Sequence, residues 1–157
     1  AASEPDRTTR TAVKVDIKDK IEFELPDAWG GHVSVIASSR PGVAPGWSVH
    51  LISEPLRAPT DAAQYALAQG SVLKANLAAY SVAKEFEFAD GGRMIPVREY
   101  TWKSDDHDIH QCQAYFIIGD EAWTLTFSAG AEDYAKLRGA LPDLLRGIRP
   151  SGAKVLQ

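Results

Sequence analysis

Apolar and polar positions alternate with period two along much of this chain, and the clearest run is a pair of segments folded back on Gly119-Asp120. On the first segment Ile109, Gln111, Gln113, Tyr115 and Ile117 share one face, and His110, Cys112, Ala114, Phe116 and Ile118 share the other, because successive strand side chains point to opposite sides. A two-residue turn at Gly119-Asp120 sets the register. It pairs Ile118 with Glu121, Phe116 with Trp123, Ala114 with Leu125 and Cys112 with Phe127, which makes one face almost wholly apolar. The opposite face pairs Tyr115 with Thr124, Gln113 with Thr126 and Gln111 with Ser128. Rows of amides, hydroxyls and aromatic rings are neither a core nor the Lys/Glu-rich surface of most exposed sheets. That face is the candidate functional surface.

Upstream, Val13 to Ile17 alternates weakly and reads as an edge strand after a tail, and Ile21, Phe23 and Leu25 alternate with Glu22 and Glu24 up to a turn at Pro26-Asp27. Trp29 is expected to plug the end of the core. His32 to Ala37 and Trp47 to Ser53 read as two strands joined by a long Ser/Pro/Gly loop. Thr60 is a plausible N-cap for a helix running to about Ala78, with Ala63, Ala66, Leu67, Gly70, Leu73 and Leu77 as its packing stripe. Val82 to Phe88 and Met94 to Trp102 are further strands around Asp90-Gly91-Gly92. Closing the next hairpin at Ser104 to His107 sets Arg98 beside Gln113, Tyr100 beside Gln111 and Trp102 beside Ile109, so the polar face widens. A last helix runs from after Gly130 to about Ile148, with a kink or restart at Pro142.

These elements predict an α+β domain: an antiparallel sheet of about six or seven strands with two helices on one face, the other left open. Residues 1–20 read as an N-terminal extension, 21–149 as the single domain and 150–157 as a tail. With 157 residues, one domain suffices. The formal charge of -4, from 17 basic and 21 acidic residues, argues against a nucleic-acid partner. The single Cys112 has no internal disulfide partner, and a reducing compartment fits it best. No apolar run is long enough to insert in a bilayer as a helix. Ala1 in place of Met leaves room for a signal peptide removed upstream.

Catalytic constellations are weak. The turn Ser104 to His110 gathers Asp105, Asp106, Asp108, His107 and His110 without a second ligand cluster, so no metal and no cofactor are expected. There is no Gly-x-Ser-x-Gly elbow or phosphate-binding loop, and His32 and His50 lack nucleophile partners in the sequence. His110 and Cys112, same-face neighbours on one strand, sit about 7 Å apart, too far for a thiol and its base. The chain is not expected to be an enzyme.

The segments Phe23 to Trp29, Ser53-Glu54-Pro55-Leu56, Arg98 to Trp102 and above all His110-Gln111-Cys112-Gln113-Ala114 resemble the DcrB-like proteins of the PsbP/Mog superfamily. Within that group the chain looks most like the Eag chaperones of type VI secretion, over about Ile21 to Ile148. The resemblance implies a cytoplasmic chaperone, usually a homodimer, that shields the hydrophobic N-terminal transmembrane helices of a secreted effector before export. It also implies that polar side chains on a concave sheet face contact the client helix backbone, roles that fall on Gln111 and Gln113. The chain departs from the family in having Cys112 where Arg is frequent, and in a longer lead before Ile21. The residue pattern places Arg98, Tyr100, Trp102, Ile109, Gln111, Gln113, Tyr115, Ile117, Thr124 and Thr126 on the client-binding face. The competing expectation is a periplasmic envelope protein of the same fold that binds a small apolar ligand or partner.

Overall fold

The structure, a computed structural model, describes residues 13–17, 21–25 and 34–149. Two compact units divide the chain between Val33 and Ser34. In the first, β1 (Val13–Ile17) pairs antiparallel with β2 (Ile21–Leu25), with Val15 opposite Phe23, as a two-stranded sheet of its own. The alternation in both segments predicted these strands. Trp29 and His32 lie outside the described residues.

The second unit is α+β, as expected. Strands β3 (Ser34–Ser38), β4 (Ser48–Pro55), β5 (Ser81–Asp90), β6 (Arg93–Ser104), β7 (His107–Ile118) and β8 (Glu121–Gly130) form one antiparallel sheet in the order β3-β4-β8-β7-β6-β5. The hairpin register matches the sequence expectation pair by pair: Phe116 with Trp123, Gln113 with Thr126 and Gln111 with Ser128 on β7–β8, Arg98 with Gln113 and Tyr100 with Gln111 on β6–β7. Tight turns make this register local, and one slipped residue would turn every apolar side chain to the wrong side.

On one face Val97, Cys112, Ala114, Phe116, Leu125 and Phe127 form the buried core. The chain's end covers it: α2 (Ala131–Leu137), a 3₁₀ turn (Arg138–Ala140) and α3 (Leu141–Gly147) bring down Tyr134, Leu141 and Leu145, with Leu137, Leu144 and Ile148 beside them. Pro142 sits in the first turn of α3, where its missing donor costs nothing, so the break falls where the proline predicted. Glu99, buried on this face, takes hydrogen bonds from the Tyr134 hydroxyl at 2.7 Å and from Arg138 Nε and Nη2 at 3.1 and 3.0 Å. These contacts pin α2 to the sheet.

The placement of α1 (Ala62–Asn76) corrects the expectation of two helices on one face. It lies on the amide-bearing side: Tyr65 packs edge-on against Tyr115, and the Ala66 carbonyl accepts from Arg98 Nη2 at 3.0 Å. The reason is volume. The C-terminal helices fill the apolar face with large side chains, whereas α1 buries only Ala66 fully and leaves Leu67 74% exposed. Its inward stripe is Ala62, Tyr65, Ala66, Gln69, Gly70, Leu73 and Leu77, rotated from the expected stripe, which included the exposed Ala63 and Leu67. The cap is Asp61 and not Thr60, closed by a box in which Asp61 Oδ1 accepts from the Gln64 amide at 2.8 Å.

Gly70 marks the closest approach. A Cβ built there would lie 2.8 Å from Arg98 Nη2 and 3.0 Å from its Cζ, and three hydrogen bonds hold that guanidinium in place. Gly70→Ala should therefore destabilise the fold by about 1–2 kcal/mol, although alanine is the better helix former by about 1 kcal/mol, because charged hydrogen bonds are strained or lost. Denaturant midpoints check this; a more stable variant would show that α1 does not press on Arg98.

Candidate functional site

The site grows from Arg98, which β6 turns toward α1. Its guanidinium is buried and splits three ways: Nε to Glu85 Oε1 at 2.9 Å, Nη1 to the Tyr115 hydroxyl at 2.8 Å, and Nη2 to the Ala66 carbonyl. Burial works against the charge, but the hydrogen bond to Glu85 and the surrounding groups outweigh it and hold the group protonated. From there a relay crosses the sheet. The Tyr115 hydroxyl donates to Gln113 Oε1 at 2.6 Å, and Gln113 Nε2 donates to Thr126 Oγ1 at 3.0 Å. A second relay runs parallel to it, with Trp102 Nε1 donating to Gln111 Oε1 at 2.8 Å and Gln111 Nε2 donating to Ser128 Oγ at 2.7 Å.

Both amides are thereby oriented. Each carbonyl oxygen has a fixed donor, and each Nε2 spends one hydrogen on a neighbouring hydroxyl and keeps another. Thr126 and Ser128 accept from the amides and retain their own O–H. The face consequently offers donors and seeks acceptors.

All ten residues expected on the functional face share it, but they divide into two groups. Arg98, Tyr100 and Tyr115 are buried and serve as the seat of α1 and its flanks, with Tyr80 tilted on Tyr100 at 5.3 Å. Burial raises the pKa values of the Tyr100 and Tyr115 hydroxyls, which stay protonated. Trp102, Ile109, Gln111, Gln113, Ile117, Thr124 and Thr126 are half-buried. The Tyr65 hydroxyl, donated to Glu54 Oε1, closes the lower end, with its pKa pushed up to about 12, first by burial and then by that carboxylate.

The rows continue onto strands whose pairing the sequence did not disclose. His50 stands opposite Thr126, Ser48 opposite Ser128 and Ile52 opposite Thr124, and Ile36 on β3 stands beside His50. Ile36 and Ile52 are 63% and 42% exposed. The amide-bearing face thus extends across β8 and β4 to β3, with Gln111, Gln113, Thr126, Ser128 and His50 in its polar rows and the exposed Ile36 and Ile52 beside them. Across α1, a separate cleft of about 320 Å³ is lined by Leu67, Glu87, Pro96 and Arg98 among others.

The DcrB family profile matches residues 21–146. The chain belongs to the DcrB family. No curated protein matches it in sequence. Among solved structures, PA94 from Pseudomonas aeruginosa, a protein of unknown function, is 16% identical over 88% of this chain and 96% of that one, with a TM-score of 0.72. LpqN of Mycobacterium tuberculosis, involved in cell envelope biogenesis, is 13% identical over 72% of this chain and 81% of that one, at 0.52. The cyanobacterial PsbP of Synechocystis matches more loosely, 15% identical over 90% and 93% at 0.48. At these identities PA94 and LpqN share the fold of this DcrB-family chain.

The other candidates of the sequence are dispersed in this DcrB-family structure. Among the described residues no group of three or more His, Cys, Asp or Glu is placed to hold a metal ion, and no helix is long and apolar enough to cross a membrane. Cys112 lies on the apolar face beside Tyr134 and Glu99, and burial first, then the Glu99 charge, pushes its thiol up to about 12. At pH 8 such a thiol is ionised in roughly one molecule in ten thousand, against about a quarter for a free cysteine. Alkylation by iodoacetamide should accordingly be about 10³-fold slower in the folded protein than in denaturant. A native rate within tenfold of the denatured one would contradict the burial.

Proposed function

We propose that this DcrB-family protein is a non-enzymatic chaperone or adaptor that receives an apolar helix of another protein on the amide-bearing sheet face beside α1. In the fuller reading, drawn from the resemblance to the Eag chaperones, the clients are the hydrophobic N-terminal segments of a type VI secretion effector, held in the cytoplasm before export. One observation carries the proposal: the face already holds a helix, α1, by a side-chain donor aimed at a backbone carbonyl, Arg98 to Ala66. Gln111 and Gln113, on the neighbouring strand of the same face, present the same kind of donor. A client helix is apolar over its whole surface, so it needs contact area as well as polar anchors. Trp102, Ile109, Ile117, Ile36 and Ile52 supply it.

Homodimerisation has its own support. Among the described residues the edge strand β3 pairs only with β4 and carries no charge, while the opposite edge, β5, is guarded by Lys84, Glu85 and Glu87. Ser34-Val35-Ile36-Ala37-Ser38 is self-complementary when paired antiparallel about Ile36: Ser meets Ser, Val meets Ala and Ile meets Ile. Such a pairing would join two amide-bearing faces into one surface.

A second reading, an envelope protein binding a small apolar ligand, draws on the cleft between α1 and β6 and on the likeness to LpqN. Fractionation separates the two. The direct test of the chaperone is co-purification with a hydrophobic N-terminal segment of a cognate effector. The Gln111→Ala, Gln113→Ala double variant should retain the fold and lose about tenfold in recovery, two net hydrogen bonds at about 0.5–1.5 kcal/mol each. Undiminished recovery would count against the amide rows.

A further inference from the structure

A cavity of about 370 Å³ opens between α2 and the edge strand β5. Its polar lining includes Lys84 from β5, Glu99 and Thr101 from β6, His110 from β7, Tyr134 from α2 and Arg138 from the 3₁₀ turn that follows. A backbone irregularity builds one wall. The β5–β6 pairing skips Ala83, so that Val82 stands opposite Tyr100 and Lys84 opposite Glu99. Continued without the skip from Ser81 and Val82, the register would set Ala83 opposite Glu99 and turn Lys84 to the amide-bearing side with Arg98. The extra residue instead brings Lys84 to the side that α2 covers, in the way bulges re-aim side chains beside binding sites.

The hydrogen bonds of the lining define what would fit it. Glu99 is fully engaged: its Oε1 accepts from the Tyr134 hydroxyl and Arg138 Nε, and its Oε2 from Arg138 Nη2. These bonds fix the guanidinium and leave its Nη1 unspent among the described residues. Lys84 Nζ lies 5.0 Å from the centre of the Phe86 ring and has no carboxylate partner among those residues. His110 packs its ring on Tyr134 at 5.6 Å and spends neither nitrogen on a hydrogen bond there. With the Thr101 hydroxyl, the cavity has donors to spare, in a chain whose formal charge is -4.

A carboxylate is held best by a whole guanidinium fork, and Glu99 already occupies the fork of Arg138. Single donors from three strands and a turn suit the several oxygens of a phosphate better, with Lys84 as the point charge. Ala83, Ala131 and Ala135 keep the remaining lining small. The volume equals that of about twelve water molecules at roughly 30 Å³ each, enough for a compact organic body.

We propose that this cavity binds a small phosphorylated molecule, with Lys84 Nζ, Arg138 Nη1, His110 and Thr101 as donors to the phosphate. The site goes beyond the helix-holding role and does not depend on it. A bound phosphate would join β5 to the turn after α2, two elements whose charged groups otherwise meet only through Glu99.

The probe is glycerol 3-phosphate, titrated calorimetrically into the full chain at constant ionic strength. Two variants accompany it: Lys84→Gln, an exposed position whose replacement leaves the core intact, and Lys136→Gln, an exposed lysine of α2 that pairs with Glu132 outside the lining. The unaltered protein should bind with a Kd below about 1 mM. Lys84→Gln should weaken binding about tenfold, the worth of one charged hydrogen bond, and Lys136→Gln should leave it unchanged. Absence of binding at about ten times that concentration would overturn the site. Equal weakening by both variants would overturn it in favour of general attraction between charges. Malonate bound as tightly as the phosphate would overturn the choice of anion.

Discussion

The amide-bearing face depends on the buried guanidinium of Arg98. A charge removed from water is tolerated only when its donors are matched, and here a carboxylate, a phenol and a helix carbonyl match them. Those three partners come from β5, β7 and α1, so one side chain ties the helix to the sheet and begins the relay that orients Gln113. The side chain that seats α1 thus also sets the direction in which a neighbouring amide presents its donors.

The two sides of the sheet are held by different physics. The apolar side is a conventional core, closed by large side chains of the C-terminal helices around Phe116, Leu125 and Phe127, and burial of such groups contributes about 1.5–3 kcal/mol each. The other side has few large aliphatic contacts with α1 and relies on directional hydrogen bonds and two buried tyrosines. A polar surface so organised can remain open to solvent without collapsing. An apolar groove of the same size would favour association with any greasy surface.

Local elements were readable from residues alone. The β6–β7–β8 register followed from two short turns and from alternation, and it placed Gln111, Gln113, Thr126 and Trp102 on one face before any coordinates. The side chosen by α1 was not readable, because a stripe of Ala and Gly fits an apolar sheet and a polar one equally well. It took the Arg98 bond to the Ala66 carbonyl to decide between them. The contributions of His50, Ser48 and Ile36 were hidden for another reason. The β4–β8 pairing joins segments separated by a helix and two hairpins, and no short turn fixes such a register. Arg98, whose same-face neighbours on β6 are Pro96, Tyr100 and Trp102, was the available hint that something would cover the polar side.

Two indoles stand on opposite sides of the sheet and report on it independently: Trp102, whose Nε1 donates to Gln111, and Trp123, which faces Phe116. The most direct measurement is the nitrogen–proton NMR spectrum of these indole groups before and after adding a soluble carrier bearing an apolar helix. Helix capture on the amide-bearing face predicts that the Trp102 indole signal moves while that of Trp123 stays. A shift confined to Trp123, with Trp102 unmoved, would place the partner on the apolar side and contradict the account.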